Sequence, residues 1–315
     1  MLNHVLDVVD LLDSPQTSGE LLAAYLREQG ETNATIDVTV VPGKDGLSTD
    51  FIKVVIPGSR GKIQGGDAPT LGVIGRLGGA GARPELIGFV SDGDGAAAAL
   101  AAAAKMLRMN ARGDVLPGDV IIATHITGWA PTQPHDPVPF MDSPVDMATM
   151  NDFEVDPAMD AIISIDTTKG NRTINHRGIA ISPTVKQGYI LRPSEDLVAT
   201  VEKVTGVPAV VFALATQDIT PYGNDLHHLN SILQPATAAT VPVVGVAITT
   251  AVPVAGSATG ASHAIDIELA ARFSIEVAKY FATGEIAFYD EAQFALLTGL
   301  YGTAEHLQTL GTVKA

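Results

Sequence analysis

The chain has 315 residues, 46% of them hydrophobic, enough for one large α/β domain with a sizeable core. Its formal net charge of −16 argues against a nucleic-acid groove or an anionic membrane surface as the main partner, and favours a small molecule or peptide. There is no cysteine, which excludes disulfides, thiolate nucleophiles and Cys-held metals, so any metal must sit on His, Asp or Glu.

The opening MLNHVLDVVDLLDSPQ mixes acids with apolar residues and lacks a cationic start, so it does not read as a signal peptide. No uncharged run reads as a membrane span, and a soluble, cytoplasmic protein is expected. Leu2, Val5, Leu6, Val9 and Leu12 recur at helical spacing until Ser14-Pro15 stops the run. Thr17 or Ser18 can cap a second helix, with Glu20 in its first turn and Gly30 at its end. Strands are predicted over 35–41, 51–56 and 71–75, the third entering the glycine-rich Gly75-Arg76-Leu77-Gly78-Gly79-Ala80-Gly81. This segment lacks both a following Lys-Ser/Thr and G-x-G-x-x-G spacing, so close backbone packing explains it better than a phosphate cradle. Residues 86–90 read as a further strand, and SDGDG then turns the chain into an alanine-rich helix over 96–109. Strands at 120–124, 161–165, 210–214 and 243–249 complete an alternation that predicts a three-layer αβα sandwich around a mostly parallel, mixed sheet. The stretch 126–157, rich in Pro, Asp and Met, reads as a loop or flap over a site. The tail from 264 reads as a long helix followed by shorter ones around 290–309. There is no internal repeat, and residues 1–315 are expected to form a single domain.

Ligands of open α/β sheets bind beyond the C-terminal ends of the strands. That rule selects Arg76, Asp92 and Asp94, His125, Asp166, Gln217 with Asp218, Asn224 with Asp225, and His263. Carboxylates and imidazoles arriving from separate strands are the usual makings of a cation site. The same residues have plainer readings: Asp92 and Asp94 suit a helix N-terminus, His125 a hydrogen-bonded loop, and Asp166 the turn TTKGN. His227-His228 reads as a surface pair, because adjacent residues point apart on regular structure. Neither a G-x-S-x-G elbow nor an H-E-x-x-H helix is present.

The order of segments resembles the zinc-dependent exopeptidases of the aminopeptidase and carboxypeptidase superfamily, with VLDVVDLLDSPQTSGELLAAYLREQG at the start and FVSDGDGAAAALAAAAKML as the most specific match. That resemblance implies Asp92 as the bridging metal ligand, Asp166 as a later ligand and His263, in GASHAIDIE, as the last. It also puts Arg76 and Gly78 where the family has a His-x-Asp metal motif, and Thr124 and His125 where it has a Glu-Glu pair. A ligand can survive as His125, while the general base is missing. The runs INHRGIAISPTVKQGYI and TQDITPYGNDLHHLNSILQP resemble an uncharacterised prokaryotic family, the domain-of-unknown-function 1177 family.

Three functions remain open. The first is a hydrolase of a peptide-like or amide-like small molecule, using one divalent metal, zinc or manganese, on Asp92, His125 and His263 with Asp166. Asp94, Asp166 and Glu268 are its candidate catalytic carboxylates, and Arg76, Lys169, Gln217 and Asn224 its candidate substrate contacts; Asp218 is a further candidate base, and whether Asp92 or Asp94 faces inward stays open. The second is a non-catalytic binding or regulatory protein on the same fold. The third is a metal-free lyase or isomerase using Lys169, His125 and Asp166 as acid–base groups with Arg76 on an anion. Homo-oligomerisation is expected, since the resemblance implies a fold that often assembles.

Overall fold

The computed structural model describes residues 1–30, 32–76, 79–80, 88–134, 140–254 and 261–312. Helices α1 (Leu2–Asp13) and α2 (Gly19–Arg27) open the chain, the second capped by Ser18, whose side chain accepts from the Leu21 N–H. Strands β1 (Thr35–Pro42), β2 (Ser48–Ile56) and β3 (Leu71–Gly75) follow. Helix α3 (Asp94–Asn110) leads to β4 (Val120–Ile126), the short pair β5 (Thr132–Gln133) and β6 (Phe140–Met141), and α4 (Met147–Glu154). Then come β7 (Ala161–Thr168), β8 (Gly178–Ile181), β9 (Val185–Lys186), β10 (Tyr189–Ile190) and α5 (Glu195–Thr205). The chain ends with β11 (Val243–Thr249), α6 (Ala264–Phe281) and α7 (Glu291–Tyr301).

Among the described residues the main sheet runs β1-β2-β4-β3-β7-β11-β9-β10, with β8 also paired to β11. Its centre, β4-β3-β7-β11, is parallel, and β1, β2 and β8 add antiparallel edges. Strands β3, β4 and β11 are buried along their whole length and β7 all but its last two residues, so each is a mainly apolar run. One face packs Val73, Ile122, Ile163 and Val246 against α1, α3 and α6. The alanines of α3 allow that helix to lie close: a Cβ on Gly75 would stand 2.6 Å from Gly95 O, and a Cβ on Gly95 2.6 Å from Ile165 O. The opposite face packs Ile74, Ile121, Ile162 and Ala247 under Phe212, Ile232 and Leu233, from an irregular stretch with short 3-10 turns.

Three expectations need correction. Residues 88–90 form no strand and enter a 3-10 turn at Ser91–Gly93, while the rest of 86–90 and part of the glycine-rich segment lie outside the described residues. Residues 210–214 make only a single bridge, Val211 to Ile181, because β8 takes the edge of β11 that a fifth parallel strand would need. The supposed flap at 126–157 contains α4, capped by Asp146 and packed on β2 through Val145 and Met150 against Phe51. No helix among the described residues is long and apolar enough to cross a membrane.

Candidate functional site

Side chains alternate across a strand, and this alone gathers the central residues. In the register of the sheet, Gly75 of β3 lies beside Thr124 of β4 and Ile165 of β7. One residue further along each strand come Arg76, His125 and Asp166, at one level and on the face shared by Ile74, Ile121 and Ile162. All three border a cavity of about 750 Å³ beyond the strand ends, together with Asp92, Ser231 and Tyr222.

His125 is fully buried, and its Nδ1 lies 2.5 Å from Glu154 Oε1 on the last turn of α4. Phe51, its cross-strand neighbour, lies 5.6 Å from the imidazole between ring centres and stacks on Phe153 of α4 at 4.6 Å, so the ring and the helix are clamped together. His125 Nε2 has no hydrogen-bond partner. Arg76 is also buried; its guanidinium pairs with Asn151 Oδ1, lies 3.2 Å from Met147 Sδ, and stands 3.3 Å from Glu154 Oε2. That last contact is an ion pair without hydrogen-bond geometry, since Glu154 Oε2 accepts no hydrogen bond. Arg76 Nε is left without a partner. Glu154 therefore bridges a guanidinium and an imidazole, and its acceptance at Nδ1 leaves Nε2 as the unpartnered ring nitrogen.

Asp166 is buried, and burial raises its carboxyl to about 6, opposed by hydrogen bonds from Ser231 and the Thr167 N–H and by the charges of Arg76 and His125. Ser231 Oγ donates to Asp166 Oδ2 at 2.6 Å, and Thr167 N–H to Oδ1 at 2.7 Å. Burial and the Asp166 charge raise the Tyr222 hydroxyl, whose ring meets His228 edge-on at 4.4 Å.

The other expected residues separate from this group. Asp94 and Lys169 form their own buried ion pair at 2.5 Å, close to Ser262 and His263, and border no part of the cavity. Burial raises the Asp94 carboxyl against the pull of Lys169. His263 is exposed at the start of α6. Glu268 is paired with Arg272 one helical turn on. Gln217 is exposed on a 3-10 turn, and Asn224 bonds Thr220 Oγ1 and the Leu226 N–H to close a loop. Asp218 is buried and accepts from the Ala215, Leu229 and Asn230 N–H groups, which makes it a loop anchor. Asp92 borders the cavity and accepts from Gly79 N–H at 2.8 Å. Gly78 lies outside the described residues.

Among the described residues no three His, Asp or Glu side chains are disposed to hold a metal ion. The donor chemistry agrees: the carboxylates of Glu154 and Asp94 are already paired with Arg76 and Lys169. As they stand, the described residues do not fit a metal centre of the kind the resemblance implied. The residues missed in the sequence are Met147, Asn151 and Glu154, which with Met150 follow the i, i+3, i+4, i+7 spacing of one helix face behind the capping Asp146. Ser231 and Tyr222 carried no such signal.

The run 174–190 folds as β8, β9 and β10 at the edge of the sheet, and the run 216–235 covers the face that carries Arg76, His125 and Asp166. Both lie within the match to one family model, described as Protein of unknown function (DUF1177), which takes in residues 40–311. The chain belongs to that family. No curated protein matches the sequence. Among solved structures, an M17 aminopeptidase from Trypanosoma brucei is similar over 87% of this chain, with a TM-score of 0.51 and 12% identity. The chain spans 61% of that protein's length, and the likeness shows a shared α/β fold. A glutaminyl cyclase from Porphyromonas gingivalis aligns over 90% of this chain and 96% of its own at 11% identity and a TM-score of 0.49. A Zn-dependent exopeptidase from Parabacteroides distasonis aligns over 88% and 96% at 13% identity and a TM-score of 0.43.

Proposed function

We propose that the chain is an acid–base enzyme of the lyase or isomerase type, acting without a metal on a small carboxylate or carbonyl compound. The observation that carries this reading is His125: Nδ1 is held by Glu154, and Nε2 is left unpartnered on a residue that borders the cavity. A histidine so held accepts a proton at Nε2. Asp166, with its carboxyl near 6, exchanges a proton on the same face, and Ser231 relays to it. Arg76 stands 3.3 Å from Glu154 Oε2 and offers Nε–H to a substrate oxygen.

A test needs no known substrate. Pools of small hydroxy, keto and unsaturated acids are incubated with the protein in D₂O, and carbon-bound protons are followed by NMR. Exchange or isomerisation that disappears in His125→Gln supports the reading. Equal exchange in the variant would defeat it. A single-metal hydrolase of a peptide-like or amide-like molecule, holding zinc or manganese, is the second reading; it is favoured by the fold shared with an aminopeptidase, and it requires Asp92, His125 and Asp166, which border one cavity, to draw together around an ion that they are not disposed to hold as they stand. It predicts one ion per chain by elemental analysis, lost in Asp92→Ala, together with peptide or amide cleavage.

A further inference from the structure

The segment that follows α7 forms part of the cavity's wall through Gln308 and Leu310. After α7, a 3-10 turn at Glu305–Gln308 is fastened to the body: Gln308 Nε2 donates to Ala236 O at 2.7 Å and to Ala239 O at 2.9 Å. Gln187 adds a second clasp, accepting from the Ala304 N–H at 3.2 Å and donating to Glu305 Oε1 at 2.7 Å. These bonds hold Gln308 and Leu310 on the border of the cavity. Leu310 is 62% exposed, an expensive place for a leucine on a clasped segment. It stands near Gly223, where a Cβ would lie 4.0 Å from Leu310 Cδ2, and the glycine offers it no side chain to pack against. Met147 and Met150 border the same cavity and extend its apolar surface.

We infer that Leu310 is a specificity-determining residue, selecting carboxylates or carbonyl compounds with an unbranched apolar chain that covers Leu310, Met147 and Met150. This rests on the reading that the polar end of the ligand lies at Arg76 and His125. The sizes agree: about 750 Å³ is far more than a two-carbon acid fills. The driving force is removal of the chain and of Leu310 from water, about fourfold in affinity for each methylene covered.

The experiment uses the full-length protein labelled with ¹⁵N-histidine, in which the His125 ring resonances are assigned by their loss in His125→Gln. Acetate, butanoate, hexanoate and octanoate are titrated in turn. The expected result is a Kd that falls stepwise with chain length, and an octanoate-to-acetate affinity ratio that drops at least fivefold in Leu310→Ala. Gln308→Ala, which frees the segment without touching the apolar wall, is expected to lower the same ratio. A ratio near one in the wild type, or one unchanged in both variants, would overturn the inference while leaving the Arg76 and His125 reading intact. If no acid, acetate included, moves the His125 resonances, that underlying reading fails and the inference falls with it.

Discussion

Two buried ion pairs flank the ends of the central strands, and they are built to opposite ends. Asp94 and Lys169 answer each other at 2.5 Å and border no part of the cavity. Glu154 answers two groups at once, Arg76 and His125, and the second has an unpartnered nitrogen and borders the cavity. Burial and pairing are alike in the two places, so neither marks a site. Each also leaves a buried polar atom without a partner, Asp94 Oδ1 in one and His125 Nε2 in the other, and the difference is that His125 and Arg76 border the cavity while Asp94 and Lys169 do not.

The largest expected effect tests how Glu154 is used. Glu154→Ala leaves a buried guanidinium without its anion, and is expected to cost about 3–5 kcal/mol in urea unfolding. A loss below about 1 kcal/mol would mean that the cluster is loosely held. The paired replacement Asp94→Leu with Lys169→Met is expected to be near neutral in stability, because both charges go together and the unpartnered Asp94 Oδ1 goes with them. It is also expected to leave the His125 ring resonances in place. A shift there would show that the two pairs are one site.

Asp166 sharpens the comparison through pH. Its folded carboxyl is raised from 3.8 to about 6, so its contribution to stability is fully present below 3.8 and is lost as pH rises through about 6. Asp166→Asn is therefore expected to be more stable than the parent at pH 8, by up to about 3 kcal/mol, with the gain shrinking to nothing toward pH 3. Thermal unfolding at the two pH values checks the sign, and a gain that grows on acidification would refute it. Ser231→Ala is a smaller change: it removes the 2.6 Å bond that favours the ionised carboxylate, costs about 1 kcal/mol at pH 8, and raises the Asp166 carboxyl further. Smallest of all, Gln217→Ala is expected to change neither stability nor ligand binding, since the side chain is exposed away from the cavity.

Much of this arrangement is legible in the sequence alone. Strands β3 and β11 fall where the apolar runs put them, and α1, α2 and α3 start or stop at the Ser, Gly and Pro residues that cap or break helices. Arg76, His125 and Asp166 stood out as polar residues at the ends of apolar runs, and the sheet does bring them to one level. The helix at 147–154 was also written in the chain, but the prolines and acids around it masked a spacing of only two turns. Gln217, Asn224 and His263 satisfy the same strand-end rule, and Glu268 is a carboxylate just beyond, but position along the chain carries no information about which side chains meet.

The sequence by itself determined the α/β alternation, the parallel core and the three strand-end residues, because apolar period and strand length are local properties of a chain. Only the tertiary structure decided that Glu154 reaches His125 across 29 residues, that Lys169 is spent on Asp94 across 75, and that the segment around Leu310 borders the cavity. Those are long-range pairings, fixed by how one helix lands on a sheet face and by which buried charge finds the nearest opposite.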